Sequence, residues 1–270
     1  MRFMPVALSA FLTIAATTLA GSALAKDETV IRVGAAALYT PEYVGSDDYQ
    51  LRALPLISFE DIGGFELSGL SLVYPLVDIG TGQGPGLWSL KAGPRAAFDF
   101  GRDSDDSPTL TGFEDIGASL LAGGFVRATY GPLGLRLDAG QDVIGGHEGF
   151  NADLSLGSYI PEGLLFDRLS IQPALTLSWA DERYTQSIYG VTAQQAAASG
   201  LPQYDLGNGF HRASASLLGW YELDDRWQIN AIVSYREYIG DYRDSPILQA
   251  PDGATSDVFM LMGISRSFGL

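Results

Sequence analysis

Three polar residues in the middle of the chain are of the types that build a hydrolase triad. His147 lies in a glycine-rich loop, and Asp142 and Ser155 lie on either side of it. A nucleophilic hydroxyl needs a histidine base that a carboxylate orients, so these three side chains would have to meet in the fold. No short hydrolase motif surrounds them, and a polar loop residue is the simpler interpretation of His147. We therefore predict a protein that is not an enzyme and has no catalytic residues.

A second candidate is the acidic stretch that contains Asp103, Asp105 and Asp106, whose carboxylates could bind Ca²⁺. Pro108 stands where an EF-hand loop would need glycine, so a solvated acidic loop is the simpler interpretation. The chain contains no cysteine, which excludes disulfides and thiolate metal sites. We expect neither a metal nor a cofactor.

The dominant pattern is alternation of apolar with small or polar residues, which is typical of strands with two different faces. In the segment 169–179, Leu175 and Leu177 share one face, and Thr176 and Ser178 share the other. The pattern predicts eleven strands of about 7–15 residues. They lie near 29–39, 50–59, 65–74, 88–100, 116–130, 133–139, 150–160, 169–179, 211–222, 227–236 and 257–268.

Such strands predict an all-β fold, a transmembrane antiparallel up-and-down β-barrel with apolar side chains facing lipid. Short connections at 131–132 and 222–226 alternate with long polar ones at 101–112, 181–209 and 241–256. Short periplasmic turns and long outer loops are typical of bacterial outer-membrane barrels, which have an even number of strands. Since eleven is odd, we predict twelve strands, with ten as the alternative, and place the error before residue 88.

One long outer loop is predicted to contain a short helix. Thr192 can cap its N-terminus, and Gln195 completes a capping box. Residues 193–198 are mostly good helix formers, and Gly200 followed by Pro202 ends the helix.

The N-terminus reads as a cleaved signal peptide over residues 1–25, with Arg2, an apolar stretch and the sequence Ala23-Leu24-Ala25. Residues 26–270 then form a single barrel, which we place in the outer membrane of a Gram-negative cell. Hydrophobic residues make up 46% of the chain and the mean hydropathy is +0.10, although no apolar run is long enough for a spanning helix. The net charge of −16 argues against nucleic-acid binding.

Charged residues on the polar strand faces are the candidates for a functional site in the barrel interior. They would either line a selective pore or fill a plugged lumen with ion pairs, and the second interpretation is favoured for a barrel of about twelve strands. The lumen-facing candidates are Lys91, Arg95, Asp99, Arg127, Arg136, Asp138, Asp153, Arg212 and Arg236.

Several stretches resemble the MipA/OmpV family of outer-membrane proteins, also called MltA-interacting proteins. They are spread over nearly the whole of residues 26–270, at Tyr39–Tyr49, Phe98–Asp103, Gln141–Gly149, Leu177–Asp181, Tyr189–Thr192, Ala196–Pro202 and Asp244–Ile247. The resemblance implies an outer-membrane barrel in contact with lipid. It also implies a non-catalytic scaffold that links a lytic transglycosylase to a peptidoglycan synthase. A small-solute channel and a surface adhesin are the alternatives.

Overall fold

The computed structural model describes residues 30–82 and 84–269 of the chain, so the predicted signal peptide lies outside the described residues. All strands belong to one antiparallel sheet. Their bounds are β1 Val30–Pro41, β2 Tyr49–Ile62, β3 Phe65–Ser68, β4 Ser71–Val73, β5 Val77–Gly80, β6 Gly84–Asp99, β7 Ser119–Gly131, β8 Leu133–Asp142, β9 Phe150–Ser158, β10 Leu169–Ala180, β11 Gly209–Glu222, β12 Trp227–Tyr238 and β13 Ser256–Gly269.

The sheet closes on itself, because β1 pairs with both β2 and β13 and because β4 pairs with both β3 and β6. β4 and β5 both pair with β6 and are separated only around Pro75. Backbone hydrogen bonds from Tyr74 N to Pro94 O (3.1 Å) and from Leu76 N to Ala92 O (2.9 Å) continue the ladder between them. The two segments therefore occupy one position in the wall, and the barrel has twelve strands with one of them broken.

Twelve strands confirm the prediction, and the alternative of ten is wrong. The missing strand lies before residue 88, as expected. Segment 65–74 is not one strand but the tight hairpin β3–β4, which turns at Gly69 and Leu70. Gly69 has a φ of 57°, a left-handed conformation that glycine adopts without strain. The predicted strand near 116–130 begins only at Ser119.

The apolar strand faces point away from the lumen. Leu175, which is 62% exposed, lies opposite Leu156 on β9, and Leu156 lies opposite Leu135 on β8. A continuous row of exposed leucines on neighbouring strands is what a lipid-facing barrel wall requires. In the part of the chain that the structure describes, no helix is long and apolar enough to cross a membrane.

Long loops gather at one end of the barrel and short turns at the other. The predicted loop helix is confirmed as α2 (Ala193–Ser199), with both capping-box hydrogen bonds of Thr192 and Gln195 and with Gly200 at a φ of 79°. A second helix, α1 (Glu182–Tyr189), precedes it in the same loop and was not expected from the sequence.

Candidate functional site

The barrel interior contains a buried cluster of charges centred on Asp138. β8 places Arg136 and Asp138 two residues apart, hence on the same face of the strand, where they form an ion pair. Arg95 of β6 reaches the same carboxylate, with its Nε 3.6 Å from Oδ1, and donates a hydrogen bond to Ser71 Oγ at 3.0 Å. All three charged side chains are buried, and one carboxylate is shared by two guanidinium groups.

Two further ion pairs lie on the inner surface of the barrel, on strands β9 to β13. Arg212 of β11 lies 4.0 Å from Asp153 of β9, and Ser178 of β10 bridges them through hydrogen bonds of 3.2 and 2.5 Å. Arg236 of β12 donates from Nε to Asp257 of β13 at 2.5 Å, and Tyr238 donates its hydroxyl to the same carboxylate at 2.6 Å. A buried charge that keeps its partner avoids the large cost of an unpaired one.

A third group lies nearer the short turns. Glu66 of β3 accepts from Lys91 at 2.7 Å and from Arg127 at 3.0 Å, and Lys91 also lies 3.5 Å from Asp78. Asp99, the remaining candidate, is buried at the loop end of β6 and is close enough to contribute to the electrostatic environment of Arg95. The other eight candidates all lie in ion pairs.

Sequence reasoning missed the acidic partners Glu66 and Asp257. Glu66 lies in the segment with the poorest alternation, where the strand boundaries were wrong. Asp257 shares the inward face of β13 with Phe259 and Leu261, which are both buried. An apolar inward face conceals the alternation that identified the other lumen residues. Asp257 lies in register with Arg236 on the next strand, and a single sequence does not contain that register.

The loop end of the barrel is closed by a hydrophobic core that the loops form themselves. Helix α1 buries Tyr184, Ile188 and Tyr189, and the core continues with loop residues such as Leu110 and Ile247. The rest of its buried members are Tyr43, Val44, Phe113, Ile116, Ala180, Val191, Leu206, Tyr238, Tyr242 and Leu248. We call this set the loop core.

Polar contacts fix the loop core to the barrel. The Tyr189 hydroxyl lies 2.9 Å from His211 Nδ1, and Ser245 donates to the Tyr189 carbonyl at 2.6 Å. Arg102 donates to the Ile188 carbonyl at 3.1 Å and lies over the Phe113 ring. Burial lowers the pKa of the Arg102 guanidinium to about 10, so it stays protonated at neutral pH.

Ion pairs along the lumen and a loop core over its mouth predict that the protein does not conduct ions as an open pore. In planar bilayers we expect no discrete current steps from the folded protein at neutral pH. A porin measured in the same bilayers is the positive control. Regular steps that scale with protein concentration would contradict the prediction and favour the channel hypothesis.

The triad residues do not come together. Ser155 lies opposite Arg136, six residues along β8 from Asp142, which corresponds to roughly 20 Å at the rise of a strand. Ser155 instead hydrogen-bonds Thr176 at 2.8 Å. His147 is only 2% exposed, and its Nδ1 accepts the Gly149 N–H at 3.0 Å, so it orders its own loop. Burial lowers its pKa.

The acidic residues of the loop that contains Asp103 and Asp105 form hydrogen bonds that stabilise the loop itself. Asp103 accepts the Asp105 N–H at 3.0 Å and caps a short 3-10 turn. Asp252 receives hydroxyl hydrogen bonds from Ser107 and Thr109, which tie this loop to the one before β13. Among residues 30–82 and 84–269, no three His, Asp or Glu side chains are grouped so that they could hold a metal ion.

Comparison with known proteins agrees with a membrane barrel. Two Escherichia coli sequences, from strain K12 and from O157:H7, are described as outer membrane protein YiaT. Each is 23% identical to this chain over 240 residues, which cover 88% of the chain and 91% of the relative.

Two solved structures match most of the chain at low sequence identity. An outer membrane channel from Pseudomonas putida F1 is 11% identical, with a TM-score of 0.41, and the match covers 91% of this chain and 97% of the channel. The toluene transporter TbuX of Ralstonia pickettii is 11% identical, with a TM-score of 0.37 and 90% of each chain covered.

The family comparison is the more specific one. The sequence model of the family described as "MltA-interacting protein MipA" matches residues 33–268, from the fourth residue of β1 to the penultimate residue of β13. That match spans the whole barrel, including the loop core and the charged lumen. This chain therefore belongs to the MipA family of outer-membrane β-barrel proteins.

Proposed function

We propose that this protein is a non-catalytic anchor in the outer membrane that binds a lytic murein transglycosylase and, together with it, a peptidoglycan synthase. The observation that carries the proposal is the turn between β9 and β10, residues 159–168. It is the longest connection at the short-turn end, and it exposes Leu164, Leu165 and Phe166 at 68%, 60% and 55%.

The backbone holds these three side chains in a defined position. Ile160 and Ile171 exchange two backbone hydrogen bonds of 2.9 Å, which fix the base of the turn. Gly163 N donates to Phe166 O at 2.9 Å, and Glu162 N donates to Ser170 Oγ at 3.1 Å. Consecutive apolar side chains on an ordered turn indicate a contact surface. Their exposure to water is unfavourable in free energy, and a partner that buries them removes this cost. We call residues 164–166 the apolar turn.

The location of the apolar turn supports a periplasmic partner. Short turns face the periplasm in outer-membrane barrels, and murein lies on that side. The description of the matched family names MltA, a lytic transglycosylase, as an interaction partner. The ion-paired lumen supports an anchor over a channel, because the charges that would select a solute are occupied by each other.

The test is recovery of the enzymes with the barrel. After crosslinking in cells, we expect Leu164→Ser combined with Phe166→Ser to lower the recovered transglycosylase at least tenfold. Such a loss corresponds to about 1.4 kcal/mol of binding free energy or more. The matched control is Leu223→Ser, since Leu223 is 39% exposed in another turn at the same end. Unchanged recovery with a normally folded double variant, or equal loss with the control, would reject the apolar turn as the docking surface.

A further inference from the structure

The barrel wall has a gap beside β2. β3 contains four residues and β4 three, whereas their neighbours β2 and β6 contain fourteen and sixteen. Pairing between β2 and β3 begins at Ser58 and Ser68. Residues 49–57 of β2 therefore have no strand partner on that side within the described part of the chain.

An open strand edge at membrane depth is costly, because lipid offers nothing to its N–H and C=O groups. It is tolerated where the backbone lines a cavity. Pro55 lies in the middle of this stretch, and proline in strands is confined to edges and bulges. Leu51, Ile57 and Phe98 are exposed beside the gap, which indicates that it opens toward acyl chains rather than toward water.

A cavity of about 370 Å³ lies behind the gap. It touches Ala53 and Ile57 on the outer face of β2 as well as Leu54 and Leu56 on its inner face, so it reaches through the wall. Its walls in the lumen are mainly apolar, and the charged side chains of Arg95 and Asp99 also line it. The apolar residues are Leu70, Ala97, Phe100, Leu121, Leu218, Ile232 and Leu261. The volume lies within the range of small-molecule sites.

One end of the cavity is polar. Arg32 of β1 lines it together with Ser58, Asn230 and Ser265. Arg32 Nε is buried and has no hydrogen-bond partner, and no carboxylate of the described residues forms an ion pair with this side chain. Glu60 and Glu222 are both affected by its charge, but neither lies within ion-pair distance of it. Arg32 thus differs from the lumen arginines that are each paired with a carboxylate.

We propose that this cavity binds a single-chain amphiphile with an anionic head, of the fatty-acid class, which enters sideways from the membrane through the gap. Arg32 binds the carboxylate, the Ser58 hydroxyl donates a further hydrogen bond to it, and the apolar lining takes up the acyl chain. The proposal is independent of the periplasmic anchor function, because the cavity and the apolar turn share no residue.

Trp220 lines the cavity and provides a reporter for the test. Bromine quenches tryptophan fluorescence at contact, so the barrel in lipid nanodiscs is titrated with a terminally brominated dodecanoic acid. We expect saturable quenching that is lost in Trp220→Phe, since the other tryptophans lie outside the cavity lining. Quenching that rises linearly without saturation, or that is equal in Trp220→Phe, would overturn the proposal.

The head-group preference is tested with Arg32→Gln. Loss of a charge-assisted hydrogen bond should weaken binding of the acid about tenfold or more, while binding of the matching bromo-alcohol stays within about twofold. Arg266→Gln is the matched control, because Arg266 packs on Trp227 and Phe268 and does not line the cavity. Equal weakening of acid and alcohol by Arg32→Gln would reject the anionic head.

The location of the ligand's acyl chain is tested independently with Ala97→Phe, because the larger side chain on β6 fills the cavity. We expect this variant to lose binding of both the acid and the alcohol, with a barrel that still shows the heat-shifted gel mobility of a folded outer-membrane protein. Undiminished binding in folded Ala97→Phe would place the ligand elsewhere and overturn the proposal.

Discussion

Replacing Asp138 by alanine is expected to destabilise the barrel by about 3–5 kcal/mol, the cost of leaving buried charges without their partner. The carboxylate is shared by Arg95 and Arg136, and all three side chains are buried between the strands. The single change therefore removes, from a buried site, the carboxylate that both guanidinium groups share. Urea unfolding in lipid vesicles, followed by tryptophan fluorescence, measures the loss.

Asp78→Ala is the matched control for this experiment. Asp78 is also paired with a cation in the same barrel, at 3.5 Å from Lys91, but its side chain is 57% exposed. An exposed pair contributes about 0–1 kcal/mol, so the control should unfold at nearly the wild-type urea concentration. Adding Arg136→Met to Asp138→Ala should recover part of the stability, because one of the two buried cations that Asp138 balanced is also removed. Equal effects of Asp138→Ala and Asp78→Ala would show that the cluster does not stabilise the barrel.

Replacing Tyr189 by alanine is expected to open the loop core at a cost of about 3–5 kcal/mol, the range for large buried aromatic side chains. Tyr189 is fully buried, and its ring packs against His211, Tyr238 and Tyr242. Helix α1 lies outside the β-ladder of the barrel, so the lost packing should appear as local opening rather than as unfolding of the barrel.

Trypsin cleavage at Arg183, an exposed residue of α1, reports this opening. We expect cleavage about a hundredfold faster or more in Tyr189→Ala, since the open population rises with the lost free energy. Tyr189→Phe is the matched control, because it keeps the ring and removes only the contact with His211 Nδ1, at a cost of about 1 kcal/mol. Resistance of Tyr189→Ala equal to that of the wild type would show that the loops are held by other contacts.

The strands of the barrel wall were predictable because residues that face lipid are apolar and residues that face the lumen are polar. These two kinds of residue alternate along the sequence of each strand. Segments with one apolar and one polar face, such as β8 and β10, were placed within a few residues and with the correct face outward. The hairpin β3–β4 was not resolved, because strands of four and three residues are too short to show a period. Pro75 also interrupts the next strand of the wall, whose two parts, β4 and β5, both pair with β6.

The loop core was beyond sequence reasoning for a different reason. Helix α2 was predictable because Thr192, Gln195 and Gly200 carry local capping information. The burial of Tyr184 and Tyr189 depends instead on loops far apart in the chain, which have no common period. The basic residues of the lumen were identified because they lie on strands whose sequence alternates between apolar and polar residues. Glu66 and Asp257 required the register between strands, which a single sequence does not contain.

The pairing of β1 with β13 has a consequence for how the barrel is made. Ten residue pairs, from Val30 with Gly269 to Tyr39 with Met260, join strands that are separated by almost the entire described chain. Contacts between residues so far apart in the sequence form late in folding, so the barrel cannot close until β13 has paired with β1. Until then, two unsatisfied edges would face the bilayer, which makes this seam the step at which an assembly factor could hold or release the growing barrel.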